Sequence, residues 1–129
     1  MKRNTFQKAM IHEALHTLHH PTADDIYAHI ILDYPQISKG TVYRNLSQMV
    51  AEGQIVQLKM PDGPDHFDHT TYHHYHCKCT ACGRVFDMDL PYQNELNLIR
   101  GADGFITHNH TLLFNGLCAD CNNKQQMED

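Results

Sequence analysis

The chain has 129 residues, 41% of them hydrophobic, and a formal net charge of −5, which allows one domain or two small ones with a core modest enough to benefit from a bound metal or a second copy. No apolar run approaches membrane-spanning length, and the N-terminal ten residues lack a signal peptide's apolar centre, so the sequence points to a cytoplasmic protein with no membrane role. Residues 1–60 carry six Lys/Arg against five Asp/Glu, while residues 61–129 carry four against ten; the acidic excess thus avoids the first half, which stays free to meet nucleic acid, and gathers where bound cations would offset it.

A first helix is expected from about Thr5 to Leu18, with Phe6, Met10, Ala14, Leu15 and Leu18 at helical spacing and Asn4 or Thr5 as cap. His19, His20 and Pro21 end it. Thr22-Ala23-Asp24-Asp25 has the form of a capping box with Asp in place of Glu, opening a helix to about Leu32 with Ile26 and Ile30 inward. A third helix starts at a Ser38 cap and runs to about Glu52, burying Val42, Leu46, Met49 and Val50, with Gly53 as its stop. Its other face offers Lys39, Thr41, Tyr43, Arg44 and Gln48. Strands follow at Gln54–Lys59 and Phe67–Tyr72 around the turn Pro61-Asp62-Gly63-Pro64.

Three short helices and a hairpin make the winged helix-turn-helix pattern, in which the third helix reads the major groove. The fold class expected is therefore α+β, with a winged-helix DNA-binding domain over residues 1–71 (wing and hinge at about 54–71). The second domain, residues 72–129, is an α/β unit with a structural zinc site. It reads as strand 72–79, a turn at Cys82-Gly83, strand 84–88, a helix from Pro91 to about Arg100 with Leu96 and Ile99 inward, strand 105–115, and a cysteine-bearing tail whose end, Lys124–Asp129, looks disordered.

Residues 68–87, DHTTYHHYHCKCTACGRVFD, are dense in metal donors. On a strand over 72–79, His74 and His76 share one face, while His73, Tyr75, Cys77 and Cys79 share the other. Two kinds of site follow. Cys79, Cys82, Cys118 and Cys121 form two CxxC pairs suited to closed, tetrathiolate zinc; their separation in sequence means that the zinc staples the tail onto the sheet. Cys77 has no evident partner and reads as a packed strand residue. His74, His76, Asp68 and Asp87 give nitrogen and oxygen donors without sulfur, suited to Fe(II), Mn(II) or Zn(II). His108 and His110 repeat the i, i+2 spacing and, with His73 and Glu95, could make a third site or could simply be exposed. His12, His16, His19 and His29 read as surface residues.

The runs HPTADDIY (20–27), SKGTVYRNL (38–46), HHYHCKCTACGRVFD (73–87) and GLCADC (116–121), in this order and spacing, resemble the ferric uptake regulator family. The resemblance implies a homodimeric, metal-dependent repressor, not an enzyme, whose winged helices read an AT-rich inverted repeat in double-stranded DNA and whose C-terminal domains dimerise. It also implies a regulatory metal site between the domains. The peroxide-sensing branch is the nearest in pattern, its five regulatory ligands falling on His20, Asp68, His74, His76 and Asp87, with Fe2+ or Mn2+ bound, or Zn2+ in the isolated protein, and Zn2+ at the cysteines. Peroxide response through iron-catalysed oxidation of histidine ligands is what that branch implies; an iron-, manganese- or zinc-uptake regulator is the alternative. The iron-uptake branch more often has Glu at positions 68 and 87, and zinc sensors usually include a Cys. Thr5-Phe6-Gln7-Lys8 departs from the Thr-Pro-Gln-Arg common among relatives. Two other classes compete. A zinc-ribbon and winged-helix assembly factor leaves the His/Asp cluster idle, and a metal hydrolase leaves the polar third helix idle.

Overall fold

The computed structural model describes residues 2–127, with side chains over residues 5–126, and the chain divides into two compact units, Met1–Tyr72 and His73–Asp129.

The first unit is a winged helix-turn-helix. Helices α1 (Lys2–Thr17), α2 (Ala23–Ile30) and α3 (Lys39–Ala51) precede strands β1 (Val56–Leu58) and β2 (His66–Asp68). The capping box at α2 forms as the sequence demands: the Thr22 hydroxyl accepts from the Asp25 amide and the Asp25 carboxylate accepts from the Thr22 amide, each at 3.1 Å. Ser38 caps α3 by accepting from the Thr41 amide. Together these caps occupy orphan amides that would otherwise fray both helix starts. Gly53, at φ 75°, takes the left-handed conformation just past α3. Ile11, Ala14, Leu15, Ile26, Ile30, Val42, Leu46, Met49, Ile55 and Phe67 form one buried cluster, each large side chain contributing roughly 1.5–3 kcal/mol relative to exposure.

Strands β1 and β2 pair antiparallel, with Val56 opposite Asp68 and Leu58 opposite His66. Asp65 closes the wing by accepting from the Met60 amide and the Gln57 side chain, both at 2.9 Å. The expected first helix needs two corrections. It begins ahead of Asn4 and Thr5, so neither is its cap, and Phe6 is half exposed, meeting Tyr34 edge-on instead of the core. Ile11 takes the buried place. The second helix stops at Ile30 and Leu32 is solvent-exposed.

The second unit is a three-stranded sheet in the order β4-β3-β5, made of β3 (His76–Cys79), β4 (Val85–Asp87) and β5 (Leu113–Gly116). Strand β3 runs antiparallel to β4 and parallel to β5. The parallel pairing requires a long crossover, which the chain makes over residues 88–112. That crossover is not the expected helix and strand. A 3-10 turn, Asn94–Leu98, replaces an α-helix from Pro91, Ile99 is exposed and Leu96 only half-buried. The strand expected at 105–115 shrinks to β5, with an isolated bridge between Arg100 and Ile106. The strand expected at 72–79 starts only at His76, because the Tyr75 ring turns inward, 1% exposed, and ties its hydroxyl to the crossover. Helix α4 (Ala119–Met127) carries the tail, so the disorder expected from Lys124 does not hold through Met127, and residues 128–129 lie outside those described. No helix among the described residues is long and apolar enough to cross a membrane.

Candidate metal centres and reading helix

The four paired cysteines are brought together. Cys79 ends β3, Cys82 sits in the turn after it, and Cys118 and Cys121 flank the start of α4; their sulfurs all lie within 4.8 Å of one another. The register explains the meeting, since Cys79 stands opposite Gly116 on β5, two residues before Cys118. Arg84 crosses the group, with Nε 3.3 Å from the Cys82 sulfur and Nη2 3.3 Å from the Cys118 sulfur and 3.2 Å from Asp120.

Backbone amides of Cys118 and Cys82 hold the Cys79 thiol down at about 5. Arg84 lowers that of Cys82. Cys121 is pushed up to about 12, chiefly by the Cys118 and Cys79 sulfurs. Four sulfurs this close cannot all be thiolates on their own, and a divalent cation is what lets the last proton leave. The donor set therefore fits zinc of the closed structural kind. Cys77 stands apart, its sulfur 3.7 Å from the Phe86 carbonyl and its thiol raised by burial.

The nitrogen and oxygen donors fall into two sets, one in each unit. In the first unit His20 Nε2 lies 3.3 Å from Asp68 Oδ2, and Asp68 Oδ1 accepts from the Thr70 amide at 3.0 Å. His20 has φ 50°, in the left-handed region that a non-glycine residue occupies only when held there. What holds it is β2. The Phe67 amide donates to the Pro21 carbonyl at 2.8 Å, and His66 Nδ1 lies 2.6 Å from the His20 carbonyl. That carbonyl can only accept, so the His66 ring donates. In the second unit His74 Nε2 lies 3.1 Å and His76 Nε2 3.5 Å from the same Asp87 oxygen. Asp87 reaches them because it stands directly opposite His76 in the β3–β4 register.

His73, Glu95 and His110 do not gather. The His110 ring is taken up by hydrogen bonds, Nε2 to the Tyr75 hydroxyl at 2.5 Å and Nδ1 to the Asn97 side chain at 2.7 Å. His73 stacks on Tyr92 and Glu95 is exposed.

Along α3 the expected reading residues lie on its outer face. Lys39 Nζ is 3.0 Å from Asp24 Oδ1, and the Tyr43 hydroxyl donates to the same oxygen. Arg44 Nη2 donates to Thr41 Oγ1 at 3.2 Å, and Gln48 is exposed. Sequence reasoning missed Asp24, whose carboxylate is lowered first by Tyr43 and then by Lys39, because the pairing spans two helices. It missed Arg84, although a cation two residues past a CxxC pair is a readable signal. It placed His12 and His16 at helical spacing but counted the lack of an HExxH motif against a metal hydrolase, whereas residues 12–16 read His-Glu-Ala-Leu-His.

The sequence model of the ferric uptake regulator family matches residues 2–115. The chain belongs to that family. It is 38% identical over 112 residues to a peroxide-responsive repressor PerR from Staphylococcus saprophyticus, spanning 86% of this chain and 74% of that protein. Among solved structures, the Campylobacter jejuni peroxide stress regulator superposes with a TM-score of 0.74 at 26% identity, covering 92% of this chain and 91% of that one. The ferric uptake regulator from Francisella tularensis, solved with iron, superposes at 0.73 with 20% identity over 90% of this chain and 91% of that one, a likeness of fold. The ferric uptake regulator family supplies metal-responsive regulators, which accounts for both a winged helix and metal-capable clusters in one chain.

Proposed function

We propose that this chain is a peroxide-responsive repressor that binds an AT-rich inverted repeat as a homodimer, through α3, when a divalent metal is held by His20, Asp68, His74, His76 and Asp87. The observation that carries the reading is the donor set: three imidazoles and two aspartates with no sulfur, with a carboxylate already beside each histidine group. The identity to a peroxide-responsive repressor supports it.

Two of the ligands belong to the winged-helix unit and three to the sheet unit. Ligation by both sets selects one angle between reading helix and dimer axis, hence one half-site spacing, with a coupling of roughly 1–3 kcal/mol normal for such linkage. Fe(II) would supply the reduction of peroxide next to the imidazoles, a capacity that Mn(II) lacks. His20 and His74 are the rings we assign as targets: the imidazole gains one oxygen, the rest of the peroxide leaves as water, and the ring no longer serves as a donor. The redox-inert zinc at Cys79, Cys82, Cys118 and Cys121 keeps the sheet unit folded throughout. On α3, Lys39 and Arg44 meet phosphate and bases, and Tyr43, Thr41 and Gln48 complete the reading face.

The test is an operator gel shift with Fe(II)- and Mn(II)-loaded protein before and after peroxide, with peptide mass spectrometry on the same samples. The proposal expects loss of binding and one added oxygen on a His20 or His74 peptide with Fe(II) alone. Loss of binding with those histidines unmodified, or no loss, passes the assignment to a regulator of iron, manganese or zinc uptake that follows metal level only.

A further inference from the structure

We infer that His12, His16 and His69 form a further site for a divalent transition metal of the imidazole-preferring kind, Ni(II), Cu(II) or Zn(II), on the winged-helix unit. The first observation is spacing. His12 and His16 lie four residues apart on α1, so their side chains project from the same face one turn apart. A helix that presents two imidazoles this way can offer both to one cation, as the HExxH metal motif does.

The second observation is which nitrogen is available. His16 Nδ1 lies 2.8 Å from the His12 carbonyl oxygen. A carbonyl only accepts, so Nδ1 carries the proton, and the neutral ring in this tautomer offers Nε2 as its donor atom. Histidine ligands are normally set in this manner, one ring nitrogen donating to a carbonyl and the other free for metal.

The third is a donor from a distant segment. His69, just past β2, stacks on His16 with ring centroids 3.9 Å apart and planes 13° apart. The stack brings an imidazole from beyond β2 against the helical pair, within reach of a cation bound there. The His12 imidazole is held below its ordinary value, by burial first and then by His16 and His69. Stacked planes do not aim their lone pairs at one point, so closing on a cation requires the exposed His69 ring to turn out of the stack, a fast side-chain motion.

The site binds and does not hydrolyse. Glu13, which stands where HExxH hydrolases keep their base, instead accepts from the Thr17 hydroxyl at 2.9 Å and lies 3.2 Å from His29 Nε2. Three imidazoles without an adjacent free carboxylate favour the later metals of the first row over Mn(II) or Fe(II). A cation held here ties α1 to the residue that follows Asp68.

The experiment uses the 129-residue protein carrying zinc and Mn(II), equilibrated with Ni(II) and analysed for bound nickel, with diethyl pyrocarbonate footprinting of each histidine. The expected result is one more nickel equivalent in the wild type than in H12Q/H16Q, with His12, His16 and His69 protected by nickel in the wild type and His69 unprotected in the double variant. The double variant should keep its zinc and its Mn(II)-dependent DNA binding, which separates this site from the regulatory one. H69Q should retain nickel protection of His12 and His16 but require more nickel to reach it. Equal nickel equivalents in wild type and H12Q/H16Q, or protection confined to His20, His74 and His76, overturns the assignment; an H69Q titration that matches the wild type removes His69 from it.

Discussion

His66 is the residue through which β2 shapes His20, a ligand of the proposed regulatory site, and replacing it isolates that role. Its side chain is 7% exposed, and Nδ1 donates to the His20 carbonyl at 2.6 Å across 46 residues of sequence. In His66→Phe the ring volume stays but the donor is lost. A part-buried carbonyl left without its partner costs about 1–3 kcal/mol, and His20, at φ 50°, loses the clamp that offsets its unfavourable backbone region. Against a typical stability of about 5–15 kcal/mol the variant still folds. Losing an outer partner of a ligand weakens metal by roughly 10–100-fold, or about 1.4–2.7 kcal/mol. Two measurements are needed, urea unfolding of the zinc-loaded protein and Mn(II) affinity. His66→Asn is the control, because its amide nitrogen can donate from nearly the position of Nδ1 and should recover most of both losses. If His66→Phe binds Mn(II) as the wild type does, or if Asn fails as badly as Phe while remaining folded, the clamp is not what positions His20.

Cys118→Ser should remove zinc and leave the protein aggregated or monomeric, checked by metal analysis and size-exclusion chromatography; a dimeric, zinc-free variant with unchanged melting would refute the stapling role. Arg44→Ala should cost about 1–3 kcal/mol in operator binding, read by fluorescence anisotropy, with fold and metal content intact. Lys39→Ala should weaken all DNA sequences alike and reduce the salt slope by about 1, while leaving Asp24 to Tyr43 alone. In the wing, Asp65 is held below its ordinary carboxylate value of 3.8, first by the Met60 amide. A depressed carboxylate stabilises the fold above its unfolded value and loses that contribution as pH falls through the folded one, so hydrogen exchange at the Met60 amide should accelerate below about pH 4 and do so at neutral pH in Asp65→Ala.

The first unit could be read from the sequence because its signals are local. Thr22 and Asp25 are three residues apart, Ser38 and Thr41 likewise, and the buried stripe of α3 repeats at helical spacing. The crossover in the second unit has no such signal. Its turn depends on Gly101, where a Cβ would meet Phe105 at 2.8 Å, and on Asp103 and Gly104 at positive φ, while the Tyr75 hydroxyl fixes it from outside by accepting from the Gln93 amide. Apolar residues at 96, 99, 105 and 106 suggested periodic elements, yet backbone bonds between distant positions decided the conformation.

The metal donors follow the same division. Cysteine identity and spacing sufficed to assemble Cys79, Cys82, Cys118 and Cys121, since a β3–β5 pairing is all that the arrangement requires. Residue type also picked out His74, His76 and Asp87: one antiparallel register sets His76 opposite Asp87, and His74, ahead of the strand, reaches the same carboxylate. What sequence spacing cannot supply is the second layer: Arg84 on the sulfurs, His66 on His20, Asp24 on Lys39 and Tyr43. Each of these joins residues from different elements, and each decides how firmly a primary residue is aimed. In a regulator this layer has a specific consequence. Ligand type determines which metal can be held, but the energy difference between metal-bound and metal-free arrangements depends on how rigidly each unit carries its own ligands. A His20 that swivels freely could follow the metal without moving the winged helix. If His20 ligates as proposed, its clamp to β2 would transmit ligation to the whole unit, α3 included, and the left-handed backbone at that position is where the clamp acts.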